Sequence, residues 1–106
     1  MKEKETIVNL TPHPVVVAGV TIPSTGVVRL EEKSEDAGVI AGIPIVKKKF
    51  GIPQGLPDEE EGIYIIVSRL VFDALPYRSD LLAIGDAIRD GEGRIVGAGN
   101  LVSHYL

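Results

Sequence analysis

Val and Ile dominate the apolar content of this chain, with 13 Val and 12 Ile against 9 Leu and 7 Ala. A side chain branched at Cβ loses χ1 freedom in a helix and packs well on a pleated surface. The excess predicts a fold built mainly of strands. The 106 residues fit one domain spanning 1–106, because compact domains usually run ~100–150 residues. Turn residues punctuate the strands unevenly: six of the seven prolines fall within residues 1–57.

The residues that are missing or scarce restrict the chemistry. Without Cys there is no disulfide framework, thiolate nucleophile or iron–sulfur site. With two His and no paired carboxylate motif, neither a metal site nor a metal cofactor is expected. A net charge of −4 argues against wrapping duplex nucleic acid, where Lys and Arg must neutralise phosphates. No apolar run reaches the ~18 residues of a membrane span, so no membrane partner is expected. The charged start Met1-Lys2-Glu3-Lys4-Glu5 leads into no apolar core, and a secretory signal is not expected.

Along the chain, Thr6 to Leu10 reads as a strand entering the rigid turn Thr11-Pro12-His13-Pro14. Val15–Val17 and Val20–Ile22 flank Ala18-Gly19 as a hairpin, and a further strand is expected at 27–31. Residues 31–36 read as a solvated loop, Val39 to Phe50 as a second hairpin around Ala41-Gly42, and residues 50–62 as an acidic flap. In the second arm of that hairpin Val46, Lys48 and Phe50 alternate with Ile45, Lys47 and Lys49, so neither face is cleanly apolar. Residues 63–67 are the most apolar run and predict a central strand buried on both faces. Ser68 offers an N-cap for a helix over 69–75, with Leu70, Val71, Ala74 and Leu75 inward and Phe72 on the opposite side, sharing a face with Arg69. Short strands at 81–84, 87–89, 94–96 and 96–102 close the sheet. The expected architecture is α+β but mainly β: a small antiparallel-sheet or barrel-like domain with one or two short helices, oligomeric.

Catalytic groups are scarce. Ser68 lacks the flanking glycines of a nucleophile elbow. His13 is either a base, a phosphate ligand or a turn histidine capping backbone. Asp86 and Asp90 on one strand would stand roughly 13 Å apart, too far to share a proton. Binding elements are better represented. Lys47, Arg69, Arg78, Arg89 and Arg94 supply cations, while Tyr64, Phe72, Tyr77 and Tyr105 supply planes for stacking. Phe72 either packs on a neighbouring loop or is left for a purine-bearing ligand or a second subunit.

Four stretches of sequence carry a resemblance over nearly the whole chain: Asn9-Leu10-Thr11-Pro12-His13, Gly42-Ile43-Pro44-Ile45-Val46 with Phe50-Gly51, residues 62–71, and residues 88–97. Together they resemble the first-described type of phage Thoeris anti-defence protein, a signal sponge. That resemblance implies a non-enzymatic protein in the cytoplasm of an infected bacterium. It would bind and sequester the cyclic ADP-ribose isomers made by TIR-domain enzymes. It also implies self-association, commonly to a homohexamer, with the nucleotide held between protomers and an aromatic of the helix among its contacts. Phe72 matches that aromatic, and Arg69, Tyr77, Arg78 and Leu82 are its neighbours, with Arg89 as a further cation. Some members resembling this chain have a second, basic site for cyclic oligonucleotides. Lys47 matches one of its cations; near Gly99 and Asn100 this sequence has glycine where arginine is expected, which removes half of that site's charge. Two alternatives remain beside the sponge: a phosphodiesterase-like enzyme that degrades the signal, and a structural or protein-binding phage component.

Overall fold

A computed structural model describes residues 5–104, so Tyr105 lies outside the described residues. Strand accounts for 53% and helix for 6%, and the fold is mainly β, as the β-branched excess predicts. The first sheet has the order β1 (Thr6–Asn9), β6 (Ile63–Ile66), β7 (Leu81–Ile84) and β10 (Leu101–Ser103). The second runs β3 (Val20–Ile22), β2 (Val15–Val17), β9 (Ile95–Ala98) and β8 (Ala87–Arg89). A long two-stranded ribbon, β4 (Arg29–Ile40) and β5 (Ile43–Gln54), stands by itself.

Each sheet contains antiparallel ladders, and two contain parallel ones as well. In the first sheet β1 and β7 both run parallel to β6, and in the second β2 runs parallel to β9. Parallel neighbours require a crossover of a dozen or more residues, usually a helix. Between β6 and β7 that crossover is residues 67–80, which carry α1 (Arg69–Ala74). Ser68 caps it in extended geometry, its hydroxyl accepting from the Val71 amide at 3.4 Å.

The first sheet has a core on each face. Ile65, Leu81 and Ala83 join Val71, Phe72, Leu75, Leu10 and Val28 on the helix side, while Ile66 and Leu82 meet Val15, Val17 and Ala98 of the second sheet. The run at 63–67 is therefore buried on both faces where it counts: Ile65 is 1% exposed and Ile66 0%. Adjacent residues of one strand point to opposite faces, so a strand with no polar alternation is what a three-layer arrangement requires.

The helix face differs from expectation. Val71, Phe72 and Leu75 are buried while Leu70 is 52% exposed. With a helix of only six residues, a small rotation chooses the inward stripe, and the one that buries the large Phe ring removes more apolar area from water than the Leu70 side.

The ribbon is the second departure. Residues 31–36 are not a loop, and strand extends through residue 54 of the expected flap. Charge did not preclude a strand here because opposite charges meet diagonally across it, even though Lys33 stands directly opposite Lys49. Lys48 lies 2.7 Å from Glu32 and Lys49 3.1 Å from Glu35, and such cross-strand pairs favour the ladder. The ribbon projects from the body. The radius of gyration is 17.0 Å, against ~13 Å for a compact chain near this length.

Both hairpins predicted around Ala-Gly form. Ala18 and Gly19 have φ of 50° and 78°, and Ala41 and Gly42 have 51° and 81°, so both loops have the positive φ pair of a type I′ turn, whose twist matches the flanking strands.

Candidate functional site

The turn after β1 is organised by one buried side chain. Asn9 is fully buried, and its amide nitrogen donates to the carbonyls of His13 and Ile22, each at 2.9 Å. Its oxygen accepts from the amide of Thr11 at 3.0 Å and from the Thr11 hydroxyl at 2.6 Å. These four bonds close Thr11–Pro14 into a fixed loop and tie it to β3. Ser24 adds a bond to the Thr11 carbonyl at 2.6 Å.

That loop faces the start of α1 across a cleft of about 320 Å³, lined by Thr11 to Val15 on one side and Val67, Ser68, Arg69 and Ile84 on the other. Its floor is apolar and its polar groups are few, the usual make-up of a small-molecule site, and its volume is at the small end of the ~300–1,000 Å³ range. Arg69 is the cation at its edge. Its guanidinium stands 5.6 Å from the centroid of Phe72 and 3.3 Å from the Asp73 carboxylate. With the side chain largely exposed, that ion pair is weak and can yield to a stronger anion such as a phosphate. His13, exposed on the proline loop, adds an imidazole able to hydrogen-bond to the lining.

The other residues named from the sequence are dispersed. Phe72 is 3% exposed and belongs to the helix-side core; it presents no open face to a ligand in the single chain. Leu82 is buried between the sheets. Arg78 is occupied: its guanidinium makes two 2.8 Å bonds to the Asp80 carboxylate, donates to the Pro57 carbonyl at 2.9 Å and lies 3.3 Å from Glu59. The hydrogen-bonded Asp80 carboxylate raises the Arg78 pKa further above its ordinary value. Tyr77 is exposed beyond the helix, and Arg89 on β8 donates to the Gly93 carbonyl at 2.8 Å.

Lys47 stands on the projecting ribbon, whereas Gly99 and Asn100 form the turn between β9 and β10. The Asn100 amide is engaged by Asp86, accepting from its backbone amide and donating to its carboxylate, both at 3.0 Å. Gly85 makes room for this: a Cβ there would fall 1.9 Å from the Asn100 side-chain oxygen. A basic site is not assembled from these three positions within one chain.

A second cleft, of about 370 Å³, is lined by Glu59, Glu60, Glu61, Tyr64, Ser79 and Asp80 among others. Its carboxylates repel anions, and the Glu5 carboxylate pushes the Tyr64 hydroxyl pKa up, so this cleft does not suit a nucleotide. Among the described residues no group of three or more His, Cys, Asp or Glu side chains could hold a metal ion, and no helix is long and apolar enough to cross a membrane. No protein-family model, curated protein or solved structure matches the chain.

Sequence reasoning named Arg69 and weighed His13 as a phosphate ligand, but did not place them at one cleft. The signal that could have joined them was the Val-rich strand 15–17 and the apolar strand 63–67, whose shared core brings their preceding and following turns together.

Proposed function

We propose that the protein binds and sequesters cyclic ADP-ribose isomers without turning them over, and so blocks Thoeris defence in the cytoplasm of an infected bacterium. The observation that carries this reading is the convergence of two distant motif segments, Thr11-Pro12-His13 and Val67-Ser68-Arg69, on the same cleft. Both belong to the stretches on which the resemblance rests. Arg69 supplies the donor for the pyrophosphate, and the apolar lining from Val15, Val67 and Ile84 takes the less polar part of the ligand. Slow release suits a sponge, and slow release favours enclosure; a single chain leaves this cleft open on one side. The functional form is accordingly a homo-oligomer, with a hexamer expected from the resemblance, and a neighbouring protomer completes the enclosure.

The test is calorimetric titration with cyclic ADP-ribose isomers, followed by heat denaturation and recovery of the nucleotide. Tight binding and intact recovered signal support sequestration. Hydrolysed product replaces it with an enzyme, and no heat with any isomer rejects nucleotide binding. Arg69→Glu, a change on an exposed side chain, is expected to weaken binding at least tenfold while leaving the unfolding midpoint unchanged.

A further inference from the structure

Among the described residues, the ribbon of β4 and β5 pairs with no third strand, and its far end is its least charged part. The ten residues from Ala37 to Val46 carry no charge, and Val39, Ile40, Ile43 and Val46 are each more than half exposed. Charge begins immediately behind this tip, and the pairing register sorts it by face. On one face Ile40 and Ile43 stand opposite each other at the tip and Ile45 follows; behind them come Lys47 opposite Glu35 and Lys33 opposite Lys49. The next carboxylate there, Glu31 beside Gly51, lies nearer the body. Asp36 is on the other face, where it accepts from the Gly38 amide at 2.9 Å, and so is Lys48, which pairs with Glu32. Of the three lysines on the first face, only Lys49 has an ion-pair partner among the described residues, Glu35 at 3.1 Å. Like charges directly opposite each other, as Lys33 and Lys49 are, destabilise a ladder, and an anion between them offsets that cost.

An apolar end backed by cations follows the order in which a bilayer arranges its own layers, hydrocarbon and then phosphate. We propose that this face of the ribbon is a peripheral anchor for a bilayer rich in anionic lipid, with Ile40, Ile43 and Ile45 entering the headgroup boundary and Lys33, Lys47 and Lys49 meeting the phosphates. The spacing fits. Ile43 and Lys47 are four residues apart on one strand, ~14 Å along it, so a tilted ribbon with its tip ~5–10 Å deep, the usual depth of an interfacial anchor, keeps the lysines at the phosphates on their flexible stems. Unpaired strand edges cannot enter hydrocarbon, which confines insertion to the tip. Charge orients the approach: residues 33–49 hold four cations against two carboxylates, whereas residues 55–104 hold four against nine, so an anionic surface attracts the ribbon and repels the body. A protein partner would have to supply a pocket fitted to a convex apolar tip, while lipid closes around one of any shape. A surface anchor needs no membrane-spanning run, whose absence alone led the sequence to predict no membrane partner. The anchor is independent of which nucleotide the cleft binds.

The chain has no Trp, so Ile40→Trp reports on the tip without background. On vesicles of equal parts phosphatidylglycerol and phosphatidylcholine its emission is expected to shift to the blue, and wild type is expected to sediment with them. On pure phosphatidylcholine, or at high salt, neither is expected. Ile43→Glu, and Lys33→Ala combined with Lys47→Ala, should each weaken sedimentation at least tenfold with unchanged circular dichroism. Glycerol phosphate in solution should not compete, because it offers the tip nothing apolar. No blue shift, equal binding to pure phosphatidylcholine, displacement by glycerol phosphate, or full binding by either variant would each overturn the anchor. Retention on immobilised polyglutamate that survives Ile43→Glu, without vesicle binding, would assign the lysines to an acidic protein instead. Because nucleotide is absent throughout, failure here leaves the sequestration reading to its own titration.

Discussion

Phe72 and His104 are stacked, ring centroids 3.7 Å apart and planes 8° from parallel, and His104 Nε2 lies 2.8 Å from the Phe72 carbonyl oxygen. The stack seals the helix against the end of β10. Phe72→Ala is therefore expected to cost ~3–5 kcal/mol, the usual range for a buried Phe. A urea titration reads this directly, and a loss below ~1 kcal/mol would return Phe72 to the surface.

Removing the Asn9 side chain takes a partner from the Thr11 amide and the Ile22 carbonyl, and leaves the exposed His13 carbonyl with the Thr11 hydroxyl. Each buried polar group left unpaired costs ~1–3 kcal/mol. Asn9→Ala should lose at least ~2 kcal/mol in the same titration and broaden the NMR signals of residues 11–14, which lose their fixed geometry.

Asp80 is buried, and Arg78 is its main counter-charge. Arg78→Met leaves that carboxylate unpaired, and breaking a buried pair typically costs ~3–5 kcal/mol. Asp80→Asn in the same background should restore part of the loss. A double-mutant cycle with no coupling between the two positions would show the pair to be incidental.

In the turn between β8 and β9, Asp90 accepts from the amides of Arg94 at 3.0 Å and Glu92 at 2.9 Å. These bonds, the Arg94 amide foremost, hold its pKa below the ordinary carboxylate value. A depressed carboxyl stabilises the fold at pH above its unfolded value, ~3.9, and that contribution disappears as pH falls through the lower folded value. An NMR titration following the Arg94 amide should give a midpoint below ~3.9; a midpoint at or above it contradicts the turn.

Ala18 occupies positive φ at the first loop position of the β2–β3 hairpin. A Cβ is disfavoured there, while Asn is comparatively tolerant and Asn-Gly is the preferred pair for this turn. Ala18→Asn is expected to add up to ~1 kcal/mol, visible as a raised Tm by differential scanning calorimetry.

Much of the fold was legible locally because the relevant physics is local. Ala-Gly loops between β-branched runs, a serine before a short apolar helix and the apolar run at 63–67 each act through neighbours in sequence. The long ribbon was not legible: residues 31–36 look solvated, and only their partners across β5, Lys48 for Glu32 and Lys49 for Glu35, make them a strand. Of the site, Arg69 was visible as an exposed cation on a capped helix, while the burial of Phe72 and Leu82 and the capture of Arg78 by Asp80 depended on packing that no spacing encodes.

By itself the sequence determined that this chain would be mainly β, because branching at Cβ acts on each residue's own backbone. It also limited the chemistry, because the absence of thiols and the scarcity of histidine hold for any fold. Tertiary structure alone decided which side chains remain available. Long-range contacts joined the Thr11–Pro14 loop to Arg69 across one cleft, withdrew Phe72 into a core, and left a ribbon projecting with most of its side chains exposed. Burial is a property of what packs against a residue, and in this chain those partners come from distant strands.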